Sequence, residues 1–382
     1  MLVEKAPGAY IHGMALKCGI VGLPNVGKST LFNALSENAK AESANYPFCT
    51  IDPNTGTVQV PDERLDRITE YVKPQKTVPT HIEFVDIAGL VKGASKGEGL
   101  GNQFLSHIRD CDAIVQVVRC FDDGDVIHVN GSVDPIRDIE VIETELMLAD
   151  LANVEKRMEK VAKLARSGDK KAIKQMEVMT SIKTALEAGK AARTVTIDEE
   201  GKEAMKEVQL ITSLPMLYVG NIDEANAGSG VENKNPHFKK LSDYAAQHGA
   251  EAIAISAKVE AELSEIPLED RKSFLEDLGL TDSGLQRLVK GAYKILGLIT
   301  YFTAGEQEVR AWTIRDGWKA PQAAGVIHTD FEKGFIAAET YGYQDLMTHK
   351  NVSKIKEMGL MRKEGKEYLV KDGDIMLFRF NV

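Results

Sequence analysis

The sequence predicts an α/β fold in which a doubly wound sheet is interrupted by a helical hairpin and followed by a small α+β module. Three observations lead to this prediction: a glycine-rich loop between a strand and a helix, a long heptad-like pattern in the middle of the chain, and short strand-like runs near its end. A chain of 382 residues exceeds what one hydrophobic core usually serves, so two or three domains are expected.

The composition is that of a water-soluble globular protein, with 43% hydrophobic and 27% charged residues. A net charge of −10 argues against nucleic-acid binding over the whole surface and leaves only local basic patches for it. The four cysteines (Cys18, Cys49, Cys111 and Cys120) lack C-x-x-C spacing, which favours reduced thiols over a zinc site or disulfides. Without a run of about 18 apolar residues, no membrane span is expected, and we predict a cytoplasmic protein.

The N-terminal segment, residues 1–13, lacks the basic-then-apolar order of a secretory signal. Met14 opens the segment MALK, which reads as a natural start. We therefore expect residues 1–13 to be a leader outside the fold.

The segment GLPNVGKS at residues 22–29 satisfies G-x-x-x-x-G-K-[ST], follows the apolar run CGIV and precedes the helix-prone TLFNAL. Its backbone N–H groups can surround a β-phosphate, Lys28 can bridge the β- and γ-phosphates, and the Ser29 hydroxyl can ligate Mg²⁺. The segment, called the P-loop below, therefore predicts a nucleoside triphosphate site. The predicted contacts are Asn25, Val26, Gly27, Lys28, Ser29 and Thr30.

A second motif, HIEFVDIAG at residues 81–89, reads as a strand ending in D-x-x-G. Asp86 can hold Mg²⁺, usually through a water, and the Gly89 N–H can donate to the γ-phosphate. Between the two motifs, the loop YPFCTIDPN carries Thr50, which could complete the Mg²⁺ shell. The order of the three segments predicts a nucleotide switch, with Lys28 and Gly89 as catalytic groups.

Base recognition is predicted at Asn221-Ile222-Asp223-Glu224, after the strand-like run MLYVG. Guanine-specific switches carry N-K-x-D there, and its Asp accepts two N–H groups of guanine. The present chain has Ile222 for the Lys and Glu224 for the Asp, so adenine becomes the favoured base. Ser256 and Ala257 begin an S-A-K element that closes over the base in the same class.

These residues resemble the YchF family of Obg-related P-loop proteins, also called Obg-like ATPases. The resemblance spans residues 14–382 and rests on the P-loop, NYPFCTIDPN at 45–54, DIAGLVKGA at 86–94, residues 221–224 and the C-terminal segment. It implies ATP as the preferred nucleotide and GTP as the weaker one, with Asn221 and its neighbours reading adenine.

Hydrolysis is expected to be slow, because Leu90 stands where many switches place a water-orienting Gln. His128, in a polar loop after the strand-like residues 113–118, could orient or accept a proton from water. The alternative is that His128 is an exposed loop residue; the family resemblance suggests the hydrolytic role. Asn25 resembles a residue that supports K⁺ binding in related proteins, and the alternative is that it only shapes the loop.

Residues 135–213 read as an antiparallel helical hairpin, because Met147, Leu151, Val154, Met158 and Val161 alternate spacings of four and three. Ser167-Gly168-Asp169 breaks the helix before a second apolar series. Basic residues concentrate near the tip, where they could meet RNA or the ribosome or only serve solubility. They are Lys156, Arg157, Lys160, Lys163, Arg166, Lys170, Lys171 and Lys174.

The C-terminal residues 299–382 contain short strand-like runs and predict an α+β module. The segment PQAAGVIHTDF at 321–331 resembles the TGS domain, a ubiquitin-like β-grasp module, which implies docking to RNA-bearing machinery. His328 is expected to be structural or to face a partner.

Together these features predict a nucleotide-binding domain at 14–134 and 214–298, a hairpin at 135–213 and a TGS domain at 299–382. The predicted function is an ATP-binding, slowly hydrolysing switch that regulates a ribosome- or translation-related partner. A monomer is expected. Two alternatives stay open: a GTPase switch of the Obg class, and a nucleotide-regulated RNA or ribosome binding module with little turnover. A metabolic kinase is disfavoured because no acceptor-substrate site is visible.

Overall fold

The computed structural model describes residues 10–11, 14–43, 54–87, 100–123, 131–228 and 230–381. The strands are β1 (Tyr10–Ile11), β2 (Met14–Ala15), β3 (Lys17–Gly22), β4 (Thr55–Gln59), β5 (Lys76–Val78), β6 (His81–Asp86), β7 (Ala113–Arg119), β8 (Met216–Asn221), β9 (Glu251–Ile255), β10 (Leu298–Ala304), β11 (Glu308–Arg315), β12 (Phe335–Gly342), β13 (Arg362–Glu364) and β14 (Asp374–Phe380).

The helices alternate with these strands through the first sheet and then dominate the middle of the chain. They are α1 (Lys28–Ser43), α2 (Glu63–Val72), α3 (Leu100–Arg109), α4 (Pro135–Arg166), α5 (Lys170–Glu187), α6 (Glu199–Met205), α7 (Val231–Lys234), α8 (Pro236–Gln247), α9 (Ala257–Glu265), α10 (Leu268–Asp277), α11 (Gly284–Ile295), α12 (Ala320–Ile327), α13 (Thr329–Lys333), α14 (Tyr343–His349) and α15 (Val352–Glu357). Short 3-10 turns lie at Ala192–Thr194, Ile211–Ser213 and Glu224–Asn226.

The first sheet has the strand order β4-β6-β3-β7-β8-β9. Strands β3, β7, β8 and β9 pair in parallel, and every residue of β7 and β8 is buried. Near-continuous burial is typical of parallel strands with helices on both faces. The predicted doubly wound α/β fold is confirmed.

The chain divides into two compact units. One contains residues 18–34 and 85–284; the other contains residues 1–17, 35–84 and 285–382. In the second unit, β5 pairs in parallel with β11 of the C-terminal sheet, although the sequence assigns residues 76–78 to the nucleotide-binding domain. Also in this unit, Tyr10 and Ile11 of the predicted leader form β1, which pairs with β2. The domain boundaries drawn from the sequence stay a prediction.

The hairpin consists of α4 and α5 with a shared apolar seam. Val154 of α4 and Met179 and Ile182 of α5 are buried together, as the spacing predicts, and α6 packs against α5. Asp134 and Asp169 cap the two helices by accepting the N–H groups of Arg137 and Ala172.

The predicted break between the two helices has a defined geometry. Gly168 has φ +89°, its N–H donates to the Ala165 carbonyl, and the Asp169 N–H donates to the Leu164 carbonyl. This pair of bonds is the Schellman motif, which favours glycine at the left-handed position. The turn therefore ends α4 and lets α5 return along it.

The C-terminal sheet has the order β13-β12-β14-β10-β11-β5. Its central pair, β10 and β14, is parallel, and antiparallel neighbours flank it on both sides, as in a β-grasp module. Tyr301 and Phe378 belong to the core on one face, and Phe302 and Ile375 belong to the core on the other. Within the described residues, no helix is both long and apolar enough to cross a membrane.

Candidate nucleotide-binding site

The predicted nucleotide-binding residues lie where the strands of the first sheet end. The P-loop follows β3, Asp86 ends β6, Asn221 ends β8 and Ser256 follows β9. In open α/β sheets, ligands bind outside the carboxyl ends of the strands. The strand order therefore brings these predicted site residues to one edge of the sheet, although more than 200 residues separate the first from the last in the sequence.

The P-loop turns through two left-handed residues, Asn25 with φ 64° and Gly27 with φ 90°, before α1 begins. Ser29 and Thr30 are exposed in the first turn of α1, where unpaired backbone N–H groups favour an anion. Val26, in contrast, is buried. Exposed polar groups and the start of a helix thus lie where the motif predicts that phosphates bind.

Lys28 forms an ion pair with Asp86, whose Oδ1 accepts from Nζ. The lysine is 8% exposed and the aspartate side chain 21% exposed. The predicted phosphate-binding cation and the predicted Mg²⁺-binding carboxylate thus neutralise each other. A triphosphate with Mg²⁺ can replace both halves of this pair, since it supplies an anion for Lys28 and a cation for Asp86.

Asn221 connects the P-loop with the segment after β9. Its Nδ2 donates to the Val26 carbonyl at 2.9 Å, and its Oδ1 accepts the Ala257 N–H at 3.0 Å. The side chain is only 6% exposed. The two ends of its amide are therefore used in joining the phosphate side and the base side of the site.

This connection explains the second glycine of the motif. A Cβ atom on Gly27 would lie 2.1 Å from Asn221 Nδ2, far inside contact distance, and the φ of 90° also disfavours other residues. Glycine at residue 27 is required both by the turn and by the approach of Asn221.

The acidic side chains of the base loop, residues 221–226, already have partners. Asp223 accepts from the backbone and side chain of Asn226 at 2.8–3.0 Å. Glu224 Oε2 accepts from Lys258 Nζ at 2.7 Å, and the fractions of the two side chains that are exposed are 49% and 70%. The Glu224 hydrogen bond is the largest cause that raises the pKa of Lys258.

The remaining predicted base contacts have structural roles as well. The Ile222 side chain is 3% exposed, and its N–H donates to the Ile255 carbonyl. Ser256 caps α9 through its hydroxyl, which accepts the Val259 N–H at 3.4 Å. The sequence analysis missed the pairing of Lys258 with Glu224, because nothing in the spacing of 34 residues indicates contact.

Arg119 is a further residue at this edge that the sequence analysis missed. It ends β7, opposite Asn221 in the register, and is 2% exposed. Its guanidinium donates to the carbonyls of Phe121 and Asp123 at 3.0 and 3.1 Å and lies 4.5 Å from the Phe121 ring centroid. The sequence did contain one signal for this residue, since a charged residue stands at the end of an apolar strand. The contacts of Arg119 hold the backbone carbonyls of residues 121 and 123.

Three predicted site residues, Thr50, Gly89 and His128, lie outside the described residues. Their roles stay predictions.

Two protein families match parts of the chain. Residues 17–147 match a family described as 50S ribosome-binding GTPase, and residues 298–381 match YchF-GTPase_C, described as a protein of unknown function. The Ribosome-binding ATPase YchF of Bacillus subtilis is 57% identical over 369 residues, which are 97% of this chain and 100% of that protein. The chain belongs to the YchF family.

Other members extend the comparison. The Ribosome-binding ATPase YchF of Escherichia coli O157:H7 is 53% identical over the same shares of the two chains. The Obg-like ATPase 1 of Gallus gallus is 46% identical over 97% of this chain and 93% of its own. The solved structure of the Schizosaccharomyces pombe YchF GTPase has a TM-score of 0.85 at 40% identity and covers 98% of this chain and 100% of that one. The resemblance drawn from the motifs is confirmed.

Proposed function

We propose that this protein binds ATP in preference to GTP, hydrolyses it slowly, and changes its affinity for the ribosome with the state of the nucleotide. The relatives named Ribosome-binding ATPase support hydrolysis and the partner. The base preference is carried by one observation: both acidic side chains of the base loop are engaged, Asp223 by Asn226 and Glu224 by Lys258.

Guanine presents two N–H donors that a carboxylate must accept, and leaving them unpaired in a closed site carries a penalty. Adenine offers a ring nitrogen acceptor and one amino group, which need no free carboxylate. A base loop whose carboxylates already have partners therefore disfavours guanine more than adenine.

The titration that tests this proposal uses the nucleotide-free protein and the non-hydrolysable analogues of ATP and GTP. A preference for the adenine analogue of about tenfold or more, or about 1.4 kcal/mol, is expected. Tighter binding of the guanine analogue would favour the second candidate, a GTPase switch of the Obg class. The similarity to the Schizosaccharomyces pombe YchF GTPase and the match to a GTPase family favour that candidate.

At the phosphate side, Lys28 leaves Asp86 for the phosphates, and the N–H groups at the start of α1 donate to them. The residues present fit Mg²⁺, because the Ser29 hydroxyl and the Asp86 carboxylate are hard oxygen donors. When bound, Mg²⁺ neutralises charge on the β- and γ-phosphates. Thr50 is proposed as a further ligand.

For hydrolysis, we assign the positioning of water to His128, with Gly89 donating to the γ-phosphate. The family resemblance and the place of His128 in the polar sequence that follows β7 support this assignment. His128→Ala should lower kcat by about 10²-fold, in the usual range for a general acid or base, and leave nucleotide affinity unchanged. His107→Ala, on the exposed side of α3, is the matched control. Equal kcat in the wild type and both variants would remove the role of His128.

A K⁺ ion near Asn25 is proposed as an additional electrostatic aid. Asn25 is exposed in a left-handed conformation at the P-loop. Turnover measured in K⁺ and then in Na⁺ tests the idea, and equal rates would remove it.

The proposed partner is the ribosome, reached through the hairpin and the C-terminal domain, which we assign as a TGS domain. The proposed domains are 14–134 with 214–298, 135–213 and 299–382, in a cytoplasmic monomer. Co-sedimentation with ribosomes, with and without a non-hydrolysable ATP analogue, tests the switch. Equal sedimentation in both conditions would leave nucleotide-independent binding as the better description.

A further inference from the structure

The tip half of the hairpin contains a concave surface with an unusual concentration of positive charge. A cavity of 580 Å³ lies between α4, α5 and the segment after α6. Its basic residues are Lys156, Arg157, Lys160 and Lys171, and its acidic residues are Asp169 and Glu207. We call this surface the basic groove. Its lining carries a net charge of about +2 on a chain of net charge −10, so a local anion-binding surface is favoured.

The structure separates the basic residues of the hairpin into two groups. Lys174 pairs with Asp198 at 2.8 Å, and Lys183 pairs with Glu155 at 2.7 Å. Lys156 and Lys160 are exposed into the groove, and among the described side chains neither forms an ion pair. The charges of Lys156 and Lys160 thus remain available where other lysines of the same helices are neutralised.

This arrangement costs stability. Lys156 and Lys160 are four residues apart on α4, and Lys163 follows three residues later, so like charges lie on one side of the helix. Such like-charge pairs destabilise a helix. Glu159, three residues after Lys156 and four before Lys163, offsets part of this repulsion, and the positive charge that remains around Lys160 favours an anionic ligand.

The residues that complete the groove limit the ligand. Asn153 and Gln175 add amide groups, and Val161, Leu164 and Ala172 add a small apolar surface. Glu207 lies 3.6 Å from Lys171 and 4.0 Å from Arg157, so it partly neutralises these two. The groove can take a ligand that presents several anionic groups in a row beside less polar surface.

We propose that the basic groove binds the phosphate backbone of single-stranded RNA, with Lys156 and Lys160 as its principal phosphate contacts. Four residues along an α-helix span about 6 Å, so the two ammonium groups can meet neighbouring phosphates of one strand. The bases and sugars offer the less polar surface that Val161 and Leu164 can contact. The proposal deepens the proposed ribosome association and rests on it for the physiological source of the RNA.

The test uses the full chain without nucleotide and a fluorescein-labelled oligouridine RNA of about 20 nucleotides, followed by fluorescence anisotropy at about 50 and about 200 mM KCl. The double variant Lys156→Gln with Lys160→Gln should bind more weakly by at least tenfold at the lower salt. Its slope of log affinity against log salt should shrink by about 1.4, the value for two lost phosphate contacts on a single strand.

The matched control is Lys163→Gln with Lys170→Gln, which removes the same charge from exposed tip residues outside the groove. Its affinity should change by less than about threefold, since screening weakens charges beyond the direct contacts. Equal losses in the two double variants, or an unchanged slope in the first, would overturn the proposal. The melting temperature of the first variant should be equal or higher, because its like-charge repulsion is gone.

A second variant tests the basic groove by a change that should strengthen RNA binding. Glu207→Gln should bind the RNA about two- to fivefold more tightly, because Lys171 and Arg157 lose their internal partner. Glu203→Gln, which removes a pair with Lys206 at 3.8 Å, should leave affinity unchanged. Equal or weaker RNA binding by Glu207→Gln would contradict the proposal that RNA binds in the basic groove.

Two further arms distinguish the sources of failure. Inorganic polyphosphate should compete with the RNA only at a higher concentration of phosphate groups than the RNA supplies. If it competes equally well, the ligand of the groove is free polyphosphate rather than RNA. If oligouridine does not bind and ribosomes still sediment in a Lys156- and Lys160-dependent way, an acidic protein surface replaces RNA as the partner. Titration of each variant with the ATP analogue should match the wild type, so a failure of this proposal is separate from a failure of the nucleotide switch.

Discussion

The nucleotide site and the basic groove both collect charge, but they treat it in opposite ways. In the nucleotide site, Lys28 is paired with Asp86 and Glu224 with Lys258. In the groove, Lys156 and Lys160 have no ion-pair partner among the described side chains. A ligand of the nucleotide site must replace these internal ion pairs, so the site favours ligands whose charges match that pattern. A ligand that contacts Lys156 and Lys160 replaces only water and counterions there, so RNA binding should tolerate many sequences and depend strongly on salt.

Removing the cation that is predicted to bind phosphate should give the largest difference between the effects on nucleotide binding and on RNA binding. Lys28→Ala removes charge-assisted hydrogen bonds to the phosphates and leaves Asp86 without its partner, so nucleotide affinity should fall by about 10²–10³-fold. RNA binding by the nucleotide-free variant should be unchanged. Calorimetric nucleotide titration and the anisotropy assay measure the two quantities, and a parallel loss of RNA affinity would show that the regions are not independent.

A pair of glycine substitutions compares the two regions at equal backbone strain. Gly27 has φ 90° and would place a Cβ against Asn221, whereas Gly168 has φ 89° and nothing within 4 Å of its Cβ position. Gly27→Ala should lower nucleotide affinity by about 10–100-fold, because it displaces the Asn221 connection as well as straining the turn.

Gly168→Ala should cost only the left-handed strain, about 1 kcal/mol of stability, and leave nucleotide affinity unchanged. Thermal unfolding and nucleotide titration of both variants provide the measurement. Similar nucleotide affinities in the two variants would mean that the Asn221 contact does not matter for binding.

The internal pair in the nucleotide site can be tested directly with Asp86→Asn. Without Mg²⁺, this variant should bind ADP a few-fold more tightly than the wild type, because Lys28 no longer has to leave a carboxylate. With Mg²⁺, the order should reverse, because a carboxylate ligand has been lost. Weaker binding of ADP to the variant under both conditions would contradict a competing Lys28–Asp86 pair.

The smallest effect on nucleotide binding is expected from a change beside the base loop. Lys258→Met frees Glu224 to accept guanine N–H groups, and the ratio of ATP to GTP affinity should fall by up to about fivefold, since an exposed ion pair contributes at most about 1 kcal/mol. Lys272→Met, an exposed lysine of α10 with a Glu276 partner at 3.9 Å, is the control. An unchanged ratio in Lys258→Met would show that the pair does not set base preference.

Local patterns were sufficient for most of the fold and for part of the site. The P-loop, the strand ending at Asp86 and the seam of the hairpin each follow from spacing over a few turns or one strand, and the structure has them. The motif also singles out Asn221 as a base contact, which stays a prediction; its amide joins Val26 and Ala257, a role that the motif alone does not specify.

The sequence by itself determined the classes of chemistry: a phosphate-binding loop, an altered base motif, a helical hairpin and a basic concentration near its tip. These are encoded by neighbouring residues, whose spacing fixes local backbone geometry. Only the tertiary structure decided which charges are neutralised. Lys28 meets Asp86 across 58 residues and Lys258 meets Glu224 across 34, while Lys156 and Lys160 face an open groove. Pairing depends on where separate strands and helices end relative to one another, and that placement is set by packing of the whole fold rather than by any local pattern.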